Sequence, residues 1–151
     1  MKDFKKILFP VDLTGGSQNT VPCVLAMGAK YNAEIHLLYV GRIFEQLQSI
    51  YVPHPSIKQM ETDILAGATK KLEEFAEEYF QTCPSCQKKV VIGDTAEEII
   101  NYAKTEKMDL IIMGTHGRKG LEKMLFGSVA EKVVRMSPVP VLCVNPQTVS
   151  E

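Results

Sequence analysis

Runs of apolar residues recur along the chain, and segments with apolar residues three or four positions apart separate them. Five such runs are rich in Ile, Leu and Val: Lys5–Asp12, Glu34–Val40, Lys88–Ile92, Met108–Met113 and Val139–Val144. Continuous apolar character is typical of strands that are buried on both faces of a parallel sheet. Helical spacing occupies the four intervening segments: Ser17–Asn32, Gln59–Phe80, Thr95–Glu106 and Ser128–Met136. This alternation predicts an open, doubly wound α/β fold with a five-stranded parallel sheet and helices on both of its faces.

Two of the helix starts carry local signals. Asp94 and Glu97 have the spacing of a capping box, which predicts that a helix begins directly after the aspartate. Pro22 lies inside the first helical segment, where its ring and missing N–H are tolerated only near a helix start. The regular part of this helix is therefore expected to begin nearer Asn19 or Thr20 than Ser17.

The longest helical segment has unusual residues before it and at its end. The preceding stretch, Gly41–Lys58, lacks clear periodicity, and Pro53 and Pro55 argue against a regular helix there. We therefore expect an irregular excursion after the second strand. Negative charge crowds the end of the helix, where it opposes the helix dipole: Glu73, Glu74, Glu77 and Glu78. A solvated helix face is the simplest interpretation of this cluster.

Length and composition place the chain among ordinary globular domains. Its 151 residues predict one domain spanning residues 1–151, with 45% hydrophobic and 23% charged residues. The formal net charge of −1 provides no overall basic field, so nucleic acid and anionic membranes are not expected partners. No stretch reaches the roughly 18 apolar residues of a transmembrane helix, and the first apolar run is too short for a signal peptide. A cytoplasmic protein with reduced cysteines is therefore expected.

Cys83 and Cys86 form a Cys-x-x-Cys pair between the second helical segment and the third strand. Such a pair can bind zinc or cycle through a disulfide, but zinc needs four ligands and the sequence has no second pair. A thioredoxin-like active site would stand at the start of a helix, whereas this pair follows one. An incidental loop, a regulatory thiol switch and a metal site remain open interpretations.

The segment after the fourth strand has the composition of a phosphate-binding turn. Glycines between this strand and the last helix allow the backbone to approach a ligand: Gly114, Gly117, Gly120 and Gly127. The last helix offers free N–H groups at Ser128 and Val129, and helix N-termini bind anions. Arg118, Lys119 and Lys123 add positive charge, and the Ser128 hydroxyl can donate to a phosphate oxygen or cap the helix.

The position of this segment in the predicted sheet supports a ligand site. In open α/β sheets, ligands bind beyond the carboxyl ends of the strands where the strand order reverses, which here indicates Asp12, Val40 and the segment after Met113. The sequence has neither a P-loop nor a Gly-x-Gly-x-x-Gly turn after the first strand, so P-loop enzymes and dinucleotide dehydrogenases are not supported. The residues alone leave two alternatives open: a tight structural connection at the glycines, and an Asp12 that merely caps the following turn.

These residues resemble the universal stress protein family, and the resemblance covers essentially the whole chain. The glycine spacing matches the ATP-binding signature of the nucleotide-binding branch of that family: Gly114-x-x-Gly117, nine residues, then Gly127-Ser128. The first, fourth and fifth strands are also similar to those of the family. The resemblance implies the strand order 3-2-1-4-5 and a site for ATP, or for ADP or AMP, with Mg²⁺.

By position, the resemblance also implies the parts of this site. Asp12 would face the ribose, Val40 would meet adenine through its backbone, and Pro10 and Val11 would shape the adenine pocket. Val11 departs from the Thr often found there in the family, but an apolar side chain can still line a base pocket. Met113 would border the same site. The phosphates would be held by Gly114, Gly117, Arg118, Gly127, Ser128 and Val129.

The expected function is binding of ATP in a stress response, with signalling or protection through the nucleotide state. Phosphoryl transfer needs a positioned metal, nucleophile and charge clamp, so slow hydrolysis is the most catalysis expected. His116 has no apparent carboxylate partner and is interpreted as a loop residue. Alternatives are a nucleotide-independent interaction module, an adenylating enzyme and a thiol redox sensor. The resemblance also implies a homodimer, and Pro140 fits an edge strand at Val139–Val144 as its interface.

Overall fold

A computed structural model of the chain describes residues 3–13, 16–42, 54–83, 85–115 and 127–145. The strands are β1 (Lys6–Pro10), β2 (Glu34–Gly41), β3 (Gln87–Ile92), β4 (Leu110–Gly114) and β5 (Val141–Val144). The helices are α1 (Val21–Tyr31), α2 (His54–Tyr79), α3 (Thr95–Thr105) and α4 (Ser128–Met136), and a 3-10 turn at Ser17–Asn19 precedes α1. All neighbouring strands are parallel, and their order β3-β2-β1-β4-β5 confirms the predicted sheet.

The strands end unevenly at the carboxyl edge of the sheet. β1 pairs with β2 up to Pro10 opposite Leu38, whereas β2 continues along β3 until Gly41 lies opposite Ile92. On its other side β1 pairs with β4, so the strand order reverses around β1. A crevice therefore opens beyond the end of β1, between longer neighbouring strands.

The hydrophobic core consists of two layers, one on each face of the sheet. Ile7 and Phe9 pack into the layer beneath α1 and α2, and the intervening Leu8 packs into the layer beneath α3 and α4. These three side chains are fully buried. Burial of each contributes roughly 1.5–3 kcal/mol, and the period of two along the strand explains why both faces need helices.

The predicted helix starts of α1 and α3 are confirmed. Pro22 is the second residue of α1, where the missing N–H has no intrahelical partner to lose, so the regular helix begins after the 3-10 turn. Asp94 is the N-cap of α3, and its Oδ1 accepts a 3.0 Å hydrogen bond from the backbone N–H of Glu97. Local sequence alone decides both starts.

The prediction of an irregular stretch at Gly41–Lys58 is wrong at both of its ends. Gly41 is the last residue of β2, and α2 begins at His54 rather than Gln59. Pro55 is the second residue of α2, a position that tolerates proline, so it starts the helix instead of preventing it. Positions 43–53 lie outside the described residues. None of the helices in the described part of the chain is both long and apolar enough to span a membrane.

The acidic end of α2 is a solvated face, as predicted. All four glutamates in its last two turns are exposed: Glu73, Glu74, Glu77 and Glu78. The opposite face carries Leu72 and Ala76 into the hydrophobic layer. Water therefore screens the unfavourable interaction of these charges with the helix dipole.

Candidate functional site

The main chain of Val40 points toward the crevice beyond β1. The N–H of Val11 donates to the carbonyl of Leu38 at 2.8 Å, so Leu38 faces β1. The N–H of Gly93 donates to the carbonyl of Gly41 at 3.0 Å, so Gly41 faces the opposite neighbour. Backbone groups of successive strand residues alternate between the two neighbours, and those of Val40 therefore face the side on which β1 has ended. One donor and one acceptor lie side by side there.

Apolar side chains at this edge divide between the two faces of the sheet. Val40 and Met113, only 8% and 5% exposed, share the hydrophobic layer beneath α3 and α4, and Val129 packs against it. Val11 is buried in the opposite layer, beneath α1 and α2. The structure thus brings together Val40, Met113 and Val129 of the predicted residues, whereas the side chain of Val11 lies on the other face.

Asp12 stands just past β1 and is partly exposed. Its backbone N–H donates a 2.5 Å hydrogen bond to Ser17 Oγ, which draws the connection back toward the 3-10 turn. Asp12 also lines a surface cavity of about 250 Å³ with residues of α2, among them Phe75 and Tyr79. The structure therefore places Asp12 just past the end of β1 and beside α2.

The glycine-rich segment is closed at its base by main-chain hydrogen bonds. The N–H of Gly127 donates to the carbonyl of Thr115 at 2.8 Å, and the N–H of Thr115 donates to the carbonyl of Val144 at 3.0 Å. A Cβ on Gly127 would lie 3.2 Å from the Thr115 oxygen, so the glycine permits a close approach. Sequence reasoning missed Thr115, because only the three-dimensional arrangement shows that it joins the two ends.

The start of α4 lies next to this base. Gly127 is its N-cap, and no side chain of the described residues caps the helix, so Ser128 is the first helical residue. The N-cap alternative for the Ser128 hydroxyl is therefore wrong, because the cap position falls one residue earlier. Ser128 is exposed, and the N–H groups of the first turn include those of Ser128 and Val129. A helix start of this kind favours an anion.

Several predicted phosphate-site residues cannot be placed. Gly117 and Arg118 lie outside the described residues, as do His116, Lys119 and Lys123. Their roles stay predictions. Gly114 is the last residue of β4. A Cβ added to Gly114 would lie 3.3 Å from the buried hydroxyl of Thr20.

A charged cluster that sequence reasoning missed lies at the same edge of the sheet. Lys132 Nζ lies 3.7 Å from Asp94 Oδ1 and 3.6 Å from Glu97 Oε1. Arg42 Nε, two residues beyond Val40, donates a 3.0 Å hydrogen bond to the hydroxyl of Thr95. The backbone N–H of Glu97, then Lys132 and Arg42, hold the pKa of Asp94 below its usual value. These residues come from three separate elements, so no local motif could have predicted the cluster.

His36 is used structurally. It is buried in β2, with Nδ1 2.7 Å from Tyr102 Oη and Nε2 hydrogen-bonded to the Glu34 carboxylate. Burial, then the negative charges of Glu106 and Glu34, raise the pKa of Tyr102 to about 12, so the phenol stays neutral at physiological pH. Within the described ranges, no group of three or more His, Cys, Asp or Glu side chains could hold a metal. The contacts instead tie β2 to α3.

Comparisons with known proteins match nearly the whole chain. A family model described as "Universal stress protein family" matches residues 3–145. Universal stress protein YxiE of Bacillus subtilis is 30% identical over 147 residues, which cover 94% of this chain and 99% of that protein. Universal stress protein MJ0577 of Methanocaldococcus jannaschii is 31% identical over 154 residues, covering 94% and 95%.

Solved structures show the same fold. The structure of MJ0577 superposes with a TM-score of 0.82 and 30% identity, covering 95% of this chain and 97% of the other. A universal stress protein in complex with cAMP superposes with a TM-score of 0.65 and 20% identity, covering 96% and 99%. The second likeness, at that identity, concerns the fold alone.

Proposed function

Because the chain belongs to the universal stress protein family, we propose that it binds ATP or a related adenine nucleotide and acts in stress response or signalling through its nucleotide state. The nucleotide lies at the carboxyl edge of the sheet, where the strand order reverses around β1. One observation carries the proposal: the main chain of Val40 faces the side of the sheet on which β1 has ended, and Gly127, the N-cap of α4, is hydrogen-bonded to Thr115 just past the end of β4.

The adenine end of the site is apolar with one main-chain donor and one acceptor. Adenine offers an amino group and a ring nitrogen on one edge, which can pair with the carbonyl and the N–H of Val40. Val40 and Met113 supply apolar surface on one face of the sheet. Pro10 ends β1, and Val11 follows it with its side chain on the other face. The carboxylate of Asp12 accepts hydrogen bonds from ribose hydroxyls.

The phosphate end of the site combines glycines with the start of a helix. Gly127 lets the chain approach closely, and the N–H groups of Ser128 and Val129 donate to phosphate oxygens. Gly114 and the sequence positions Gly117 and Arg118 complete this end, and the cation Mg²⁺ accompanies the phosphates. The described residues fit a phosphate group, because no side chain among them caps the start of α4 and its N–H groups can therefore donate to a ligand.

Binding rather than catalysis is the core of the proposal. His36 is held between Tyr102 and Glu34 within the packing of β2 against α3, and phosphoryl transfer would need a positioned metal, nucleophile and charge clamp. A universal stress protein with this fold has a solved structure in complex with cAMP, an adenine nucleotide. Slow hydrolysis is compatible with binding.

Calorimetric titration with ATP tests this proposal. One site per chain is expected, with competition by ADP, AMP and cAMP. GTP is the control, because guanine presents an acceptor and a donor where adenine presents a donor and an acceptor, and it should bind much more weakly. Absence of both heat and thermal stabilisation at millimolar ATP would instead support a nucleotide-independent interaction module.

We extend the proposal to a homodimer that forms through the last strand. β5 is at one edge of the sheet, and Val141, Leu142 and Cys143 are only partly buried. The preceding helix α4 leaves Val134 and Met136 48% and 54% exposed. A two-fold partner that pairs its own β5 would cover unpaired main-chain groups and apolar surface together.

A further inference from the structure

Cys83 and Cys86 lie in the short connection between α2 and β3, far along the chain from the proposed nucleotide site. The N–H of Cys83 donates to the carbonyl of Phe80 at 3.0 Å, so the first thiol directly follows the helix. Both cysteines are partly buried and pack against the hydrophobic layer beneath α1 and α2. Their position between helix and strand is fixed by the core.

A tight turn brings the two cysteines together. The N–H of Cys86 donates to the carbonyl of Cys83 at 3.2 Å, the hydrogen bond of a four-residue turn. Such turns hold their first and last Cα atoms within about 7 Å, and disulfides span about 4.4–6.8 Å between Cα atoms. Cys83 lies close enough to influence the ionisation of the Cys86 thiol. Little movement is therefore needed to join them.

The other cysteines lack this arrangement. Cys23 is in α1, beneath which lies one hydrophobic layer, and Cys143 is in β5 and packs against the other. The sheet separates these layers. Cys23 packs against the same layer as Cys83 and Cys86, but within the described residues only the latter two of the four cysteines are joined by the hydrogen bond of a tight turn.

We propose that Cys83 and Cys86 form a reversible disulfide, made by exchange with a low-molecular-weight disulfide such as oxidised glutathione. The Cys83 thiolate attacks one sulfur of the small disulfide, whose S–S bond breaks as a mixed disulfide forms and one small thiol leaves. The Cys86 thiolate then attacks the Cys83 sulfur and releases the second small thiol. Two protein thiols lose two electrons and two protons in total, and the small disulfide is reduced to two thiols.

The environment of the thiols sets the order of these steps. Burial, then the neighbouring Cys83 side chain, raise the pKa of Cys86 to about 12, so Cys86 is a poor nucleophile at pH 7. The first attack therefore falls to Cys83. Once Cys83 is in a mixed disulfide, it can no longer carry the negative charge that disfavours a thiolate on Cys86, so the second attack becomes easier.

The experiment is oxidation of the purified, reduced protein in glutathione buffers, followed by alkylation and peptide mass spectrometry. We expect a Cys83–Cys86 disulfide that dithiothreitol reverses, with Cys23 and Cys143 still alkylated. Cys86→Ser is expected to accumulate a glutathione adduct on Cys83. Cys83→Ser is expected to react at least tenfold more slowly at Cys86, with a rate that rises steeply with pH.

Three results would overturn the inference. One is an unchanged pair of thiols in a buffer that oxidises the urea-unfolded protein. Another is equal reactivity of the two single variants at pH 7. The third is stoichiometric zinc released by acid from the reduced protein, since a metal site would then hold the pair. None of these outcomes depends on nucleotide binding, because the pair and the crevice share no residue.

Discussion

The hydroxyl of Thr20 lies 3.3 Å from the point that a Cβ on Gly114 would occupy. Thr20 is fully buried at the start of α1, and its hydroxyl has no hydrogen-bond partner in the described structure. The glycine that ends β4 is thus required by close packing as well as by its place before the phosphate segment. Thr20 and Gly114 should therefore depend on each other energetically.

A double-mutant cycle tests this dependence. Gly114→Ala is expected to lower the free energy of unfolding by about 1 kcal/mol, because the new methyl group meets the Thr20 hydroxyl. In a Thr20→Ala background the cost of the same change should fall close to zero. Urea unfolding measures the cost of Gly114→Ala in the wild-type and in the Thr20→Ala background. Gly67→Ala is the control: nothing lies within 4 Å of its added Cβ, so this helical site should gain roughly 0.5–1 kcal/mol. Equal costs of Gly114→Ala in the two backgrounds would show that the contact is unimportant.

Valine at Gly127 or Gly117 is expected to reduce ATP affinity at least tenfold while the fold survives. The backbone of Gly127 has φ −69°, which any residue adopts, so positive-φ strain is not the reason. The reason is its approach to the Thr115 oxygen, where a Cβ would lie at 3.2 Å. Calorimetry reports the affinity and circular dichroism the fold. Normal ATP binding by both variants would place the site elsewhere.

Ser128→Ala should weaken ATP binding by about 1.5–3 kcal/mol, the range for one hydrogen bond to a charged group. Its side chain is exposed, so thermal stability should hardly change. Ser56→Ala, at another exposed position, is the matched control and should bind ATP like the wild type. Indistinguishable affinities of the two variants would remove the hydroxyl from the site.

Asp94→Ala should lower the free energy of unfolding at pH 7 by about 1 kcal/mol through loss of the α3 N-cap. The pKa of Asp94 is lowered in the fold, so its stabilisation is present above its ordinary value of 3.8 and is lost as pH falls through the lower folded-state value. The difference between wild type and variant should therefore be present above pH 3.8 and shrink as the pH is lowered below that value. Asp94→Asn, which keeps a cap acceptor, should show little pH dependence. Urea unfolding at pH 7 and at acidic pH measures this difference in stability. A difference for Asp94→Ala that does not change with pH would contradict the role of the ionised Asp94 side chain as the N-cap.

Light scattering at micromolar concentration tests the proposed homodimer. The wild type should be dimeric, and Val141→Lys combined with Leu142→Glu should be monomeric, because it places charges on both faces of β5. Circular dichroism must show that this variant is folded. Lys88→Glu, at the exposed edge strand β3, is the control and should stay dimeric. A monomeric wild type would end the proposal.

The fold could be predicted from the sequence because its signals are local. The apolar runs of β1, β2 and β4 reflect burial on both faces, and Asp94 caps α3 through a residue three positions away. The start of α2 was missed because one proline can either prevent or begin a helix, and the neighbouring chain decides which.

The candidate site was predictable only in part, for a related physical reason. Glycine spacing and strand ends indicated Asp12, Val40 and Gly127. Contacts between segments that are distant in sequence could not be predicted. Examples are the hydrogen bond from the N–H of Gly127 to the carbonyl of Thr115 and the ion pair between Lys132 and Asp94. The sequence separations of these residue pairs follow no helix or strand period, because the contacts arise only from tertiary packing.

The unequal lengths of β1 and β2 also bear on how the protein tolerates mutation. If a base is recognised by the N–H and carbonyl of Val40, the recognising atoms are common to every residue except proline. Replacing the side chain at position 40 would then reshape the pocket wall while keeping the base preference. Only an insertion or deletion that changes which backbone groups face the crevice would alter that preference. The selectivity for the base should therefore survive most single-residue substitutions in β2 and should change when the length of the strand changes.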